Sequence, residues 1–277
     1  MRMTLGWARR IVSLLLVIGL VAGSVPGSAG AAEPKEKKHW WNSQPWTEGE
    51  PFHWQGRVAA GGTVEVKNIN GGIRAVLATG NQVVVDATRR GKKDDPDAVQ
   101  IDVTQDGDHL IICARYPTPS GDLNDCESQN IQDFDVNVEF EIQVPAGLRF
   151  EPQTVNGGIE VIGLKGAVEA TTVNGSVEVS TTGSAEVHTV NGSITAVLGK
   201  LDGDLEFETV NGAIEVSLPA RSNFDLDARA ANGSIDTDLA VAVSGRVKRN
   251  HLKGQVGSGG PNLRLSTVNG GITLNVD

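Results

Sequence analysis

The dipeptide Asn-Gly recurs at Asn70, Asn156, Asn174, Asn191, Asn211, Asn232 and Asn269, and from Asn156 to Asn232 the copies stand 17 to 21 residues apart. No other feature constrains the fold as much, because a unit of about twenty residues cannot bury a core by itself and must stack on its neighbours. With each Asn as origin, Ile159, Val177, Ile194, Ile214, Ile235 and Ile272 stand three residues later, and Val161, Val179, Ala196, Val216, Thr237 and Leu274 five later. Glu160, Glu178, Thr195, Glu215, Asp236 and Thr273 lie between them. Strict alternation of this kind predicts a strand with one apolar face. A second strand precedes each Asn, with Val168, Ala170 and Thr172, or Leu205, Phe207 and Thr209, on one side.

Asn-Gly is also the strongest short signal for a hairpin turn, so an antiparallel meander competes with a solenoid. The Thr two residues before Asn separates the two. In a solenoid each residue lies over its counterpart about 4.8 Å away, so identical side chains can bond one another, whereas a meander gives no reason for the identity. The expected fold is all-β: a β-solenoid, or β-helix, of short strands over residues 155–277, capped by an N-terminal antiparallel β region over 58–154. Asn156, Asn174, Asn191, Asn211, Asn232 and Asn269 are expected to form a structural ladder pointing inward, with glycine supplying a positive-φ corner. The 37-residue gap from Asn232 to Asn269 reads as two periods, with a degenerate corner at Lys253 in "LKGQV".

The N-terminal part divides differently. Arg2, Arg9 and Arg10 precede the apolar run 11–22, and "GSAGAA" follows, so residues 1–31 read as a secretory signal peptide. Residues 32–57 form a Trp-rich linker with Trp40, Trp41, Trp46 and Trp54, read as a flap over the first coil, a disordered arm or an aromatic platform for sugars. Longer runs such as "HLIICAR" and "FDVNVEFEIQV" read as antiparallel strands. Cys113 and Cys126 both lie in the exported part, where an oxidising compartment lets them form a disulfide; two free thiols are the alternative.

The formal net charge is −10, which becomes −13 once the three signal arginines are set aside. Nucleic acid is therefore not an expected partner, and no membrane span is expected after signal cleavage. The five histidines share no metal-ligand spacing, and "GSGGP" at 257–261 leads into a strand and not into a phosphate-binding helix. Five residues before the corners stand Glu151, Glu169, Glu186, Glu206 and Asp227. They read first as a solvated acidic face, second as a weak Ca2+ face in which five carboxylates stack one above another. An active site needs two carboxyls in unequal environments, which a regular stack does not supply, so no catalytic residue and no cofactor is expected.

"AAGGTVEVKNINGGIRAV", "VEFEIQVPAGLRFEPQTVNGGIEV", the repeated "TVNG" and the closing "GQVGSGGPNLRLSTVNGGITLNV" resemble the bacterial putative-adhesin family of exported β-solenoid proteins, over about residues 58–277. The resemblance implies a domain of largely unknown function with no catalytic residues. The expected role is a non-enzymatic, adhesin-like scaffold for binding or structure at the cell envelope, exported to the periplasm, the cell surface or the medium. Its expected partner is an envelope component or a glycan. Two alternatives stand beside it: a carbohydrate-active β-helix enzyme (a polysaccharide lyase or hydrolase), and an envelope module that self-assembles through its C-terminal edge, Ile272–Val276, unless another part of the chain covers that edge.

Overall fold

The computed structural model describes residues 45–126, 134–199, 201, 203–243 and 248–276. The chain divides into two units, Met1–Pro45 and Trp46–Asp277. The signal segment, Trp40 and Trp41 lie outside the described residues. The second unit is all-β apart from a short 3-10 turn at Pro96–Ala98, with two sheets of eleven strands each among the described residues.

Each coil places one strand before its Asn in the first sheet and one strand after it in the second. The Asn174 coil is Val168–Asn174 followed by Val177–Thr181, and the Asn191 coil is Ala185–Asn191 followed by Ile194–Leu198. Neighbouring coils pair in parallel with residues over their counterparts: Val177 faces Ile194, Thr172 faces Thr189 and Asn174 faces Asn191. The alternation seen in the sequence thus sends one residue in two inward. Val179, Val187, Ala196, Phe207 and Val216 are fully buried between the sheets. Each large aliphatic side chain buried this way contributes about 1.5–3 kcal/mol.

Three features depart from the sequence reading. The stack starts at Thr63–Lys67 and Ile73–Leu77, the Asn70 coil, and the strand Arg149–Asn156 runs straight through the expected boundary at 154/155. "NING" builds a corner as well as "TVNG" does, so the repeat reaches back into the region read as a cap. Second, Lys253 is no corner. It lies in His251–Val256, which pairs antiparallel with Phe224–Asn232 and with Val241–Val243.

Third, the coils do not stack in chain order. The last coil, Asn262–Asn269 and Ile272–Val276, inserts between the Asn211 coil and the Asn232 coil. The expected open edge at Ile272–Val276 is therefore paired on both sides, with Ile214–Leu218 and with Ile235–Thr237; another part of the chain covers it. The strand left at that end of the second sheet is Ile235–Thr237.

The antiparallel cap is present at the other end. Gln100–Asp106 pairs antiparallel with His109–Arg115, and Val83–Gly91 with Asn137–Val144. The segment after Trp46 is neither flap nor free arm: Thr47–Glu48 and Phe52–Gly56 add antiparallel to Val83–Gly91. Trp54 packs against the core there, and Trp46 stays exposed with Lys92 Nζ 4.8 Å from its ring centre. Cys113 and Cys126 form a disulfide, Cα to Cα 6.0 Å, which ties the following loop to the buried strand His109–Arg115.

Candidate functional surface

The corner is built from three consecutive positions with separate tasks. The Thr two residues before Asn is buried and donates its hydroxyl to a glycine carbonyl of the neighbouring coil: Thr154 to Gly71 (3.0 Å), Thr172 to Gly157 (2.9 Å), Thr189 to Gly175 (2.9 Å), Thr209 to Gly192 (2.8 Å) and Thr267 to Gly212 (2.9 Å). A carbonyl at the wall of an apolar core is thereby satisfied. The expected threonine-to-threonine ladder is absent among the described residues, because this carbonyl takes the hydroxyl.

The Asn ladder is present, but it faces solvent. Asn156 donates its amide to the Asn70 Oδ1, Asn174 to Asn156, Asn191 to Asn174, Asn211 to Asn191, Asn269 to Asn211 and Asn232 to Asn269, each at 2.8–2.9 Å. All six donors are exposed. The inward placement expected for them is corrected: the strand period puts Thr and Asn, two apart, on one face, but the chain has begun to turn at Asn. The glycines that follow are required for closeness and not for handedness. A Cβ on Gly157, Gly175, Gly192, Gly212 or Gly233 would meet the carbonyl oxygen of the adjacent coil's glycine at 1.9–2.0 Å, and among these corners only Gly71, at φ 112°, is clearly left-handed.

Beside this edge, on the second sheet, a cleft of about 630 Å3 is floored by Gly72, Gly158 and Ser176 and walled by Arg74, Glu139, Glu141, Glu160 and Glu178. Glu139 Oε2 accepts the Gly72 N–H at 2.9 Å, and Arg74 Nε donates to Glu160 at 2.9 Å. A second cleft, about 650 Å3, lies at the other end among Asp225, Asp227, Lys253, Gln255, Asn262 and Arg264.

The five acids singled out from the sequence stand on the outer face of the first sheet, though not as one column. Glu169 faces Glu186 and Glu186 faces Glu206, but Glu206 faces Arg264, which in turn faces Asp227. The inserted last coil places a cation where chain order would have put two acids together. The other acids also have cationic partners. Arg149 bridges Glu151 and Glu169, Arg264 reaches Glu206 at 3.2 Å, and Asp227 holds Arg229 at 2.8 Å and His251 at 3.1 Å.

His188 lies between two carboxylates, Nε2 2.9 Å from Glu186 and Nδ1 3.4 Å from Glu208. Burial works against its charge, but the bonds to Glu186 and Glu208 prevail and raise its pKa to about 9. Among the described residues no group of three or more His, Cys, Asp and Glu is arranged to hold a metal. The sequence reading missed Arg149 and His188 as partners, although Arg149-Phe-Glu151 and Glu186-Val-His188 have the two-residue spacing that shares a strand face and could have found them. Arg264 was not legible, because its place depends on how the last coil threads.

Tyr116 was also missed. Its buried hydroxyl donates to the Asn70 carbonyl at 2.9 Å and lies 3.2 Å from Asn68 Oδ1, pinning the cap to the first corner; burial pushes the phenol pKa up.

This arrangement defines a class, a parallel two-sheet β-solenoid with a polar corner ladder and an antiparallel cap at its N-terminal end. Residues 149–275 match the family described as Toastrack DUF4097. Among solved structures, a putative cell adhesion protein from Clostridium sporogenes is 12% identical, covers 82% of this chain and 100% of its own, and superposes with a TM-score of 0.44. A putative adhesin from Bacteroides fragilis is 11% identical over 82% of this chain and 97% of its own, TM-score 0.28. A putative adhesin from Parabacteroides merdae is 10% identical over 82% and 96%, TM-score 0.22. No curated protein matches the chain.

Proposed function

We propose that the protein is a non-enzymatic, adhesin-like scaffold, exported to the cell envelope, that binds a glycan or another envelope component along its side. The observation that carries this reading is the form of the outer surface. Its polar groups recur at coil spacing and its acids on the first sheet are matched by Arg149, His188, Arg264 and Arg229, whereas hydrolysis or elimination on a polysaccharide needs a few unequal groups converging on one bond. The disulfide between Cys113 and Cys126 supports an oxidising compartment outside the cytoplasm.

The test is a glycan-array screen run beside a polysaccharide-depolymerisation assay on the same preparation. Retention of one glycan class without chain shortening is expected. Shortening that is abolished by changing Glu160 or Glu178 in the first cleft would replace this reading with the lyase or hydrolase.

A further inference from the structure

The seven Asn-Gly pairs are chemically alike, and the fold treats one of them differently. In an Asn-Gly pair the backbone nitrogen of glycine can attack the side-chain Cγ of the asparagine. Ammonia leaves, a five-membered succinimide forms, and water opens it to aspartate or isoaspartate; the sum is amide plus water to carboxylate plus ammonium. The reaction needs a free glycine N–H and an asparagine side chain that can rotate onto it. Inside the stack the asparagine side chain is held at every corner and the glycine N–H at every corner but Gly157, which has no acceptor among the described residues.

Gly71, Gly175, Gly192, Gly212 and Gly270 donate their N–H groups to the corner carbonyls of Asn156, Asn191, Asn211, Asn269 and Asn232, at 2.9, 3.0, 3.0, 3.0 and 3.3 Å. The side chains of Asn156, Asn174, Asn191, Asn211 and Asn269 are each clamped twice, donating from the nitrogen and accepting at Oδ1. At the first rung Asn70 accepts from Asn156 and donates to the Phe134 carbonyl at 3.3 Å. Asn232 alone differs on both counts. Its amide donates to Asn269, but among the described residues nothing donates to its Oδ1 and the Gly233 N–H has no acceptor. The cause is topological: because the last coil inserts beneath it, the Asn232 coil ends the ladder, and no further coil supplies either partner. Asn232, Gly233 and Ser234 are all exposed.

We propose that Asn232 is a modification site of the folded protein, the one corner at which spontaneous deamidation through a succinimide proceeds without opening the stack. The product is a carboxylate two residues from Ser234, whose hydroxyl lies 3.0 Å from Asp236. Where the ring opens to isoaspartate, an extra methylene enters the main chain at the corner whose carbonyl holds the Gly270 N–H. Both changes act on the terminal coil, loosening Ile235–Thr237 and leaving the inner coils intact.

The sequence contains its own control, since Asn174, Asn191 and Asn232 are all followed by Gly-Ser. The folded protein is aged in warm, mildly alkaline buffer, and peptide mapping by mass spectrometry follows conversion of amide to acid at each asparagine. A second sample is aged unfolded in urea. In urea the three sites should convert at similar rates. In the folded protein Asn232 should lead Asn174 and Asn191 by about tenfold or more, because the inner corners react only through local opening. Equal rates in the folded protein, or an inner corner converting first, would overturn the assignment.

Discussion

A methyl group added to Gly192 would stand 2.0 Å from the carbonyl oxygen of Gly175, closer than any real contact, and the oxygen belongs to a backbone already bonded across the coils. Gly80, by contrast, has nothing within 4 Å of the same position. Gly192→Ala should therefore cost about 4 kcal/mol or abolish folding, while Gly80→Ala changes stability by less than about 1 kcal/mol. Urea unfolding of the pair decides it, and equal midpoints would mean that the corner relaxes freely. His188 makes a second residue-level case. Its folded pKa of about 9 lies above the ordinary 6.5, so its stabilising charge is fully present below pH 6.5 and is lost as pH rises through 9. Glu186 and Glu208 are held below the ordinary 4.5 chiefly by their bonds to His188, so their share is lost only as pH falls through the acid range. Stability should thus decline between pH 6.5 and 9, by about 3 kcal/mol at most, and His188→Gln should flatten that limb. A variant with the same alkaline slope as the parent would assign the decline to another group.

The strands were legible because each states its own burial. Ile194, Ala196 and Leu198 go inside and Thr195 and Val197 outside, whatever lies above or below them. Corner positions were legible for the same reason, since Thr-x-Asn-Gly repeats locally. The neighbours of each coil were not. Stacking order is decided by which apolar edges meet, and Leu263 and Leu265, which pair with Leu205 and Phe207, present the same alternating apolar pattern as Leu226 and Ala228 of the chain-order neighbour. The antiparallel strand His251–Val256 could not be told from a degenerate coil, because its leucine, glycine and valine occupy positions where a coil also accepts them. Threading of this kind has an element-level consequence. Ile272–Val276, at the end of the described chain, is paired on both sides, whereas Ile235–Thr237 is paired on one. In hydrogen exchange the amides of Ile272–Leu274 should rank with the inner coils, and those of Ile235–Thr237 should exchange first among the second-sheet strands of the stack. Early exchange at Ile272–Leu274 would show that the last coil is an addition to the fold and not an inner layer of it.

Across the whole molecule the surplus of acid has to be reconciled with a surface on which carboxylates meet at sheet spacing. Like charges directly opposite in a sheet are destabilising, and Glu169, Glu186 and Glu206 are so placed. The molecule offsets this by setting cations into the same face, Arg149 at one end of the row, His188 in the middle and Arg264 at the other end. Calcium prefers six to eight oxygen ligands, and these carboxylates already accept bonds from side chains that a cation would have to displace. Calcium chloride and sodium chloride at matched ionic strength should therefore raise the melting temperature equally, both by screening. Arg264→Gln should lower stability and make it more salt-dependent, because Glu206 and Asp227 then lose the cation between them. A rise specific to calcium in the unaltered protein, removed by changing Glu169 and Glu186 to Gln, would instead make the acid row a cation-binding face, with the bridge from Arg149 and the His188 bond yielding to the metal.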